Sequence, residues 1–156
     1  MNQSENINYT FGIIVSEFNK PVTDKLLEGA MKALTESGVE ESRCDVFHVP
    51  GSFEIPVVLK KLSRENIDKK KYDGIIAIGC VIKGETAHFE YISETVTDSI
   101  NKISYEYEMP VGFCVLTCYT PQQAYERCLT PPNKDNNKGF EAAKTLLEMI
   151  PLLNKI

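Results

Sequence analysis

Four apolar runs, each followed by a segment with helical periodicity, constrain the fold of this chain more than any other feature. The runs cover residues 11–15, 44–49, 74–80 and 111–116 of the 156-residue sequence. Strands buried on both faces are largely apolar, and such strands alternating with helices form a parallel sheet covered on both sides. Because crossovers between parallel strands are right-handed, we expect a three-layer α/β/α sandwich, flavodoxin-like, with a four-stranded parallel sheet.

The segments between the runs predict the helices. Apolar residues recur there at helical spacing, and Pro56 and Pro121 suit first turns. The predicted helices cover residues 22–37, 54–63, 89–107, 121–128 and 140–153. A lysine-rich stretch, 68–71, is predicted to be a solvated link. We expect a flexible segment over 1–9 and a single domain over 10–156.

The composition limits the classes of partner. A net charge of -5 argues against a general nucleic-acid or anionic-membrane binder, although a local basic pocket is compatible with it. The first ten residues are polar and lack the apolar core of a signal peptide. No apolar run approaches the ~20 residues that span a bilayer. We therefore predict a cytoplasmic protein without nucleic-acid or membrane partners.

The cysteines predict no special chemistry. The chain has five of them and no CxxC pair, and they are Cys44, Cys80, Cys114, Cys118 and Cys128. A disulfide framework or a structural zinc site would have closer, paired spacing. We expect reduced, mostly buried thiols and no metal site.

The carboxyl ends of the predicted strands open onto one rim of the sheet, where ligands of α/β proteins bind. Residues 79–88 end the third strand and lead into a helix, with Gly84 and Thr86 in the turn. A helix amino terminus offers unpaired N–H groups to an anion, and this turn suits a single phosphate. His88 follows, and imidazole suits proton transfer near neutral pH; an ordinary first-turn surface residue is the alternative.

Three further features allow both a functional and a structural interpretation. Phe18 could stack on a planar ligand or form a hydrophobic staple with the next helix. Ser52 and Glu54 could hold the hydroxyls of a polyol or cap a helix. Arg127 and Lys138 could contact phosphate or be ordinary surface cations.

Longer motifs carry a resemblance to a known family. The sequence VPGSFEIP lies at 49–56, GCVIKGETAHFEY at 79–91 and EFN at 17–19. These motifs closely resemble the 6,7-dimethyl-8-ribityllumazine synthase family of riboflavin biosynthesis, and the resemblance extends in family order from Phe11 to the last helix. It implies condensation of 5-amino-6-(D-ribitylamino)uracil with 3,4-dihydroxy-2-butanone 4-phosphate, without a metal or organic cofactor.

The resemblance also implies a role for each site residue. His88 is the implied proton shuttle, Phe18 stacks on the uracil ring, and Arg127 pairs with the phosphate. The residues implied to bind the other parts of the substrates are Ser52, Phe53 and Glu54 for the ribityl chain, Val81 and Ile82 for the pyrimidine edge, and Gly84, Glu85 and Thr86 for the phosphate. Phe113 and Lys138 match positions that a neighbouring subunit contributes.

The link between Arg127 and Lys138 departs from the family pattern. Many members have a short glycine-containing link (RAG…GNKG), whereas this chain has a longer one with two prolines. In the family a longer link goes with free pentamers and a short one with icosahedral capsids, so the resemblance implies a homopentamer with sites between subunits. The alternatives in function are a non-catalytic lumazine- or flavin-binding protein and a related enzyme such as an archaeal-type riboflavin synthase.

Overall fold

The structure, a computed structural model, describes residues 7–156, which form one sheet of four parallel strands in the order β2-β1-β3-β4. The strands are β1 (Phe11–Ser16), β2 (Cys44–Val49), β3 (Gly74–Ile82) and β4 (Val111–Cys118). The helices are α1 (Lys20–Glu36), α2 (Ile55–Lys69), α3 (His88–Glu106), α4 (Pro121–Tyr125) and α5 (Lys138–Lys155). Short 3₁₀ turns lie at Glu41–Arg43 and Ser52–Glu54. The predicted α/β fold, a three-layer flavodoxin-like sandwich, is confirmed.

The strands are apolar on consecutive residues because both faces of the sheet are core. In β1, Ile13 and Val15 pack into the cluster that contains the apolar residues of α1 and α5. Ile14, between them, packs into the cluster formed with α2 and α3. Burying one aliphatic side chain of this size stabilises the fold by ~1.5–3 kcal/mol, so a polar residue at any of these positions would be costly.

β3 and β4 each extend two residues beyond the apolar runs that predicted them. The ladder continues through the pairs Val81–Thr117 and Ile82–Cys118, so backbone hydrogen bonding sets these strand ends. The pairing of β3 with β1 stops earlier, at Ile78. The end of β3 therefore projects past β1, and one edge of its backbone is left open there.

The lysine-rich stretch that was predicted to be a link is partly helical, since α2 continues to Lys69. Glu65 lies 3.4 Å from the Nζ of Lys61 and 3.1 Å from that of Lys69, one turn away on either side. Such pairs stabilise a helix modestly, and a lysine in the last turn suits the helix dipole. The prediction was wrong because it followed the apolar stripe alone and did not count these charge pairs.

The chain is packed on the core before β1 begins. Ile7 and Tyr9 contact the cluster under α1 and α5, and the N–H of Ile7 donates to the carbonyl of Gly38 at 3.2 Å. Ile7 and Tyr9, which fall in the segment predicted to be flexible over 1–9, are therefore packed on the core, and residues 1–6 of that segment lie outside the described residues. Across residues 7–156, no helix is both long and apolar enough to span a bilayer.

Candidate functional site

A cleft of about 600 Å3 opens at the carboxyl ends of β1, β2 and β3. The strand order reverses at β1, which has β2 on one side and β3 on the other, and this switch point is where open α/β sheets bind ligands. The cleft is lined by Phe18, Gly51, Ser52, Phe53, Glu54, Cys80, Val81, Ile82, Gly84, Thr86, His88, Phe89 and Ile92. Nine of these are residues that the sequence singled out as site candidates.

The chain leaving β1 is fixed by Asn19, which sequence reasoning did not select. Asn19 has a φ of 61°, a left-handed conformation that asparagine tolerates better than most residues. Its Nδ2 donates to the carbonyl of Cys80 at 2.8 Å and so ties the end of β1 to β3. The N–H of Phe18 donates to the carbonyl of Pro50 at 3.0 Å. With its backbone held, Phe18 projects its ring into the cleft mouth, 70% exposed.

That exposure bears on the two interpretations of Phe18. A hydrophobic staple packs its side chain against the following helix, which would bury the ring. An exposed aromatic ring on a cleft wall is instead available to stack on a planar ligand. The geometry therefore favours the ligand interpretation.

The 3₁₀ turn at Ser52–Glu54 forms a second wall. Ser52 is buried against Gly79, where an added Cβ would come within 2.5 Å of the serine Oγ, so the turn lies directly on β3. Phe53 is 59% exposed, and no side-chain hydrogen bond caps the start of α2. Capping was the structural alternative for Ser52 and Glu54. Without such a cap, the Glu54 carboxylate is available to a ligand in the cleft.

The end of β3 supplies backbone groups to the cleft. The N–H of Lys83 donates to Cys118 on β4 at 2.9 Å, whereas the carbonyl of Cys80 accepts from Asn19 on the β1 side. Because successive residues of a strand direct their peptide groups to opposite neighbours, Val81 points to β4 and Ile82 points to the cleft. The two residues therefore differ: Ile82 can offer an N–H and a carbonyl to a ligand, and Val81 offers mainly its side chain.

The turn before α3 forms the third wall. Gly84 is open on its Cβ side, with no atom within 4 Å, and no side chain caps the helix. The N–H of His88 has only a long contact of 3.4 Å to Thr86 Oγ1. Free amide groups at the start of this 19-residue helix suit an anion. His88 is exposed on the cleft wall, and Glu85 lies in the same turn but does not line the cleft.

The charge of the cleft is low. Its lining residues include one carboxylate, on Glu54, and one imidazole, on His88, but no lysine or arginine. Cys80 also lines the cleft, and burial raises the pKa of its thiol to about 12, so this thiol is neutral and a poor nucleophile. Among residues 7–156, no group of histidine, cysteine, aspartate or glutamate side chains is arranged to hold a metal ion.

Three predicted site residues lie elsewhere, beside β4. The backbone N–H of Lys138 donates to the carbonyl of Arg127 at 2.9 Å, so these two cations are neighbours. The Arg127 guanidinium donates to the carbonyl of Gln123, and Lys138 Nζ lies 2.6 Å from Glu141. Phe113 is half-exposed in an open groove of about 1010 Å3 between α3 and β4. Arg127 was expected beside the phosphate turn, but it does not line the cleft of its own chain.

Together these features define a class of protein: an α/β protein with a small-molecule cleft at the switch point of its sheet. The cleft combines an exposed aromatic ring, a turn with uncapped backbone amides and a histidine. A family model described as 6,7-dimethyl-8-ribityllumazine synthase matches residues 8–154. Because this match covers nearly the whole chain, the protein belongs to the lumazine synthase family, a family of transferases of riboflavin biosynthesis.

Proposed function

We propose that the protein condenses 5-amino-6-(D-ribitylamino)uracil with 3,4-dihydroxy-2-butanone 4-phosphate to give 6,7-dimethyl-8-ribityllumazine. The observation that carries the proposal is the meeting of Phe18, the Ser52–Glu54 turn, the Gly84–Thr86 turn and His88 in one cleft. These features come from three separate parts of the sequence, around residues 18, 52–54 and 84–88, and they suit different parts of the two substrates. Membership in the family supports the same reaction.

The uracil substrate fits the apolar half of the cleft. The ring of Phe18 stacks on the planar pyrimidine, and the peptide groups of Ile82 face the polar edge of the pyrimidine. The ribityl chain lies along Ser52, Phe53 and Glu54, where the Glu54 carboxylate accepts hydrogen bonds from its hydroxyls. This arrangement places the 5-amino group toward the turn before α3.

The phosphate of the second substrate binds at Gly84–Thr86, on the free amides at the start of α3. A phosphate is also favoured by lysine or arginine side chains, and none lines the cleft of one chain. Arg127 and Lys138 are exposed neighbours on another part of the chain. We infer that a neighbouring subunit brings these two cations, together with Phe113, to the cleft, so that the site lies between subunits.

The reaction then needs positioning and proton transfer. The 5-amino nitrogen forms a bond to the ketone carbon, and loss of water gives an imine. Loss of the C3 proton and of inorganic phosphate from C4 gives an enol, which tautomerises to a ketone at C3 with C4 as a methyl group. The ribityl-bearing nitrogen attacks this new ketone to close the ring with loss of a second water. His88, between the phosphate turn and the pyrimidine, accepts and returns the protons that these steps move. Both substrates are already reactive, so holding them together accounts for much of the acceleration.

The test is to mix the purified protein with both substrates and follow the absorbance and fluorescence of the lumazine. We expect product only when both substrates are present, with release of inorganic phosphate. A folded protein that binds the uracil substrate but forms no lumazine would refute the proposal. That outcome would support the alternative, a non-catalytic lumazine- or flavin-binding protein.

We further propose that the protein is a homopentamer. The link between Arg127 and Lys138 is the longer kind that accompanies free pentamers. Large apolar side chains are exposed both next to this link, at Tyr125 and Leu129, and in the groove between α3 and β4, at Phe113. Exposed apolar groups of this size favour a protein interface. Light scattering should give about five times the 17.6 kDa chain mass. A capsid-sized particle or a monomer would contradict the pentamer.

A further inference from the structure

We propose that Asn137 is a positioning residue that holds Arg127 and Lys138 in place, and thereby sets the affinity for the phosphorylated substrate. This inference rests on the proposed function. The Asn137 side chain is 2% exposed and uses its full hydrogen-bonding capacity. Its Oδ1 accepts from the N–H groups of Gly139 (2.9 Å) and Phe140 (3.2 Å), which caps α5. Its Nδ2 donates to the carbonyls of Lys25 (3.0 Å) and Leu129 (3.2 Å).

These bonds join three parts of the chain at the base of the long link. The carbonyl of Lys25 belongs to α1, that of Leu129 belongs to the start of the link, and the capped amides belong to α5. Lys138 follows Asn137 directly, and its N–H bonds the carbonyl of Arg127. Moving the Asn137 side chain would therefore shift both cations relative to the body of the protein.

The same geometry explains how the longer link is accommodated. Cys128 and Asn137 pair as an isolated antiparallel bridge, and the N–H of Leu129 donates to the carbonyl of Asn136 at 3.1 Å. The residues between 129 and 136 lie beyond this closed base, and the carbonyl of Pro132 among them accepts from Lys32 Nζ on α1 at 3.0 Å. Additional length beyond the base does not alter the separation of Arg127 and Lys138.

Helix α1 has a glycine where the Asn137 amide packs against it. Gly29 faces it, and a Cβ at that position would collide with the Asn137 side chain. Glycine destabilises the interior of a helix relative to alanine. The contact with the Asn137 amide explains why α1 nevertheless has a glycine at this position. An amide alone fits this place because it offers two donors and an acceptor with two lone pairs, which neither aspartate nor serine does.

The first experiment is Asn137→Ser. Serine still caps α5 but loses both donor bonds to Lys25 and Leu129. We expect the KM for the butanone phosphate to rise about 10-fold, with kcat and the KM for the uracil substrate within about two-fold of wild type. The matched control is Asn133→Ala, which removes an exposed side chain of the same link that bonds only Asp135 and Asn136 and keeps the backbone carbonyl that accepts from the Asn137 N–H, so its KM should not change. Sedimentation should show the same assembly for all three proteins.

The second experiment changes Gly29, the residue of α1 that faces the Asn137 amide. Gly29→Ala should raise the same KM by displacing the Asn137 side chain, and adding it to Asn137→Ser should cause little further change, because serine leaves room for the new methyl group. This non-additivity marks a shared mechanism. Independent, additive effects would overturn the proposal, as would a Gly29→Ala enzyme with an unchanged KM. Gly29→Ala also serves as the test if Asn137→Ser does not fold.

A third measurement separates this proposal from the proposed function. Amide hydrogen exchange reports the Lys138 N–H bond directly, and in Asn137→Ser the exchange of this amide should be at least about 10-fold faster, with the core amide of Ile76 unchanged. If wild type forms no lumazine, the proposed function fails, and the holding of Lys138 is judged by this exchange rate. If wild type is active and Asn137→Ser has an unchanged KM, the positioning role is refuted while the proposed function stands.

Discussion

Replacing His88 with alanine should lower kcat for lumazine formation by about 10²-fold and leave the thermal unfolding temperature unchanged. Positioned acid–base groups typically contribute 10²–10⁴-fold, and the smaller value is expected here because both substrates are reactive without a catalyst. His88 is the first residue of α3 and is exposed, so its loss removes no core packing. The KM values should change little, since Phe18 and the Gly84–Thr86 turn that is proposed to bind the phosphate are untouched.

The chain supplies its own control for this variant. It has two histidines, and the other, His48, lies exposed on β2 outside the cleft lining. His48→Ala should retain the wild-type kcat under the same conditions. Equal turnover of His88→Ala and wild type would show that solvent carries the protons, and would remove His88 from the mechanism.

Much of the fold could be predicted because apolar periodicity reports burial. The run 75–78 is buried on both faces, and the sequence shows this directly as an uninterrupted apolar stretch. The cleft followed from the same logic, since parallel strand ends share one rim. The motif around Gly84 and His88 was predicted to lie there, and it does.

Other parts of the site depend on contacts that no local pattern reports. Asn19 bonds the carbonyl of Cys80 across 61 residues of sequence, and its role emerges only when β1 and β3 lie side by side. The one local signal in the sequence was an asparagine directly after a predicted strand, because asparagine tolerates the left-handed conformation that Asn19 adopts. Similarly, the direction of the Ile82 peptide groups follows from the register with β4, which the apolar run does not encode.

The position of Arg127 shows a different limit. The family resemblance implied that Arg127 pairs with the phosphate, but a sequence motif does not say whether a cation reaches the cleft of its own chain or that of another. The structure groups Arg127 with Lys138 at the base of the link, away from the cleft lining. Both residues therefore stay predicted phosphate contacts, and the proposal that they reach a phosphate depends on a neighbouring subunit.

Replacing Arg127 with alanine should raise the apparent KM for the butanone phosphate by about 10- to 150-fold. A charge-assisted hydrogen bond is worth about 1.5–3 kcal/mol, and the loss of one converts to that range. The KM for the uracil substrate should stay within about two-fold of wild type, because the Phe18 side of the cleft is unchanged. Arg64→Ala is the matched control: it removes an exposed arginine from α2 and should alter neither KM. An effect confined to the uracil substrate would contradict the phosphate role.

Mixing subunits tests where Arg127 acts. If it serves the cleft of a neighbour, oligomers co-assembled from His88→Ala and Arg127→Ala chains contain some sites with both an intact histidine and an intact arginine. Those mixtures should recover activity that neither variant has alone, and the recovered sites should have the wild-type KM. If Arg127 served the cleft of its own chain, every mixed oligomer would carry only damaged sites, because each chain lacks one of the two groups. Absence of recovery in verified mixed oligomers would therefore place Arg127 within its own subunit's site.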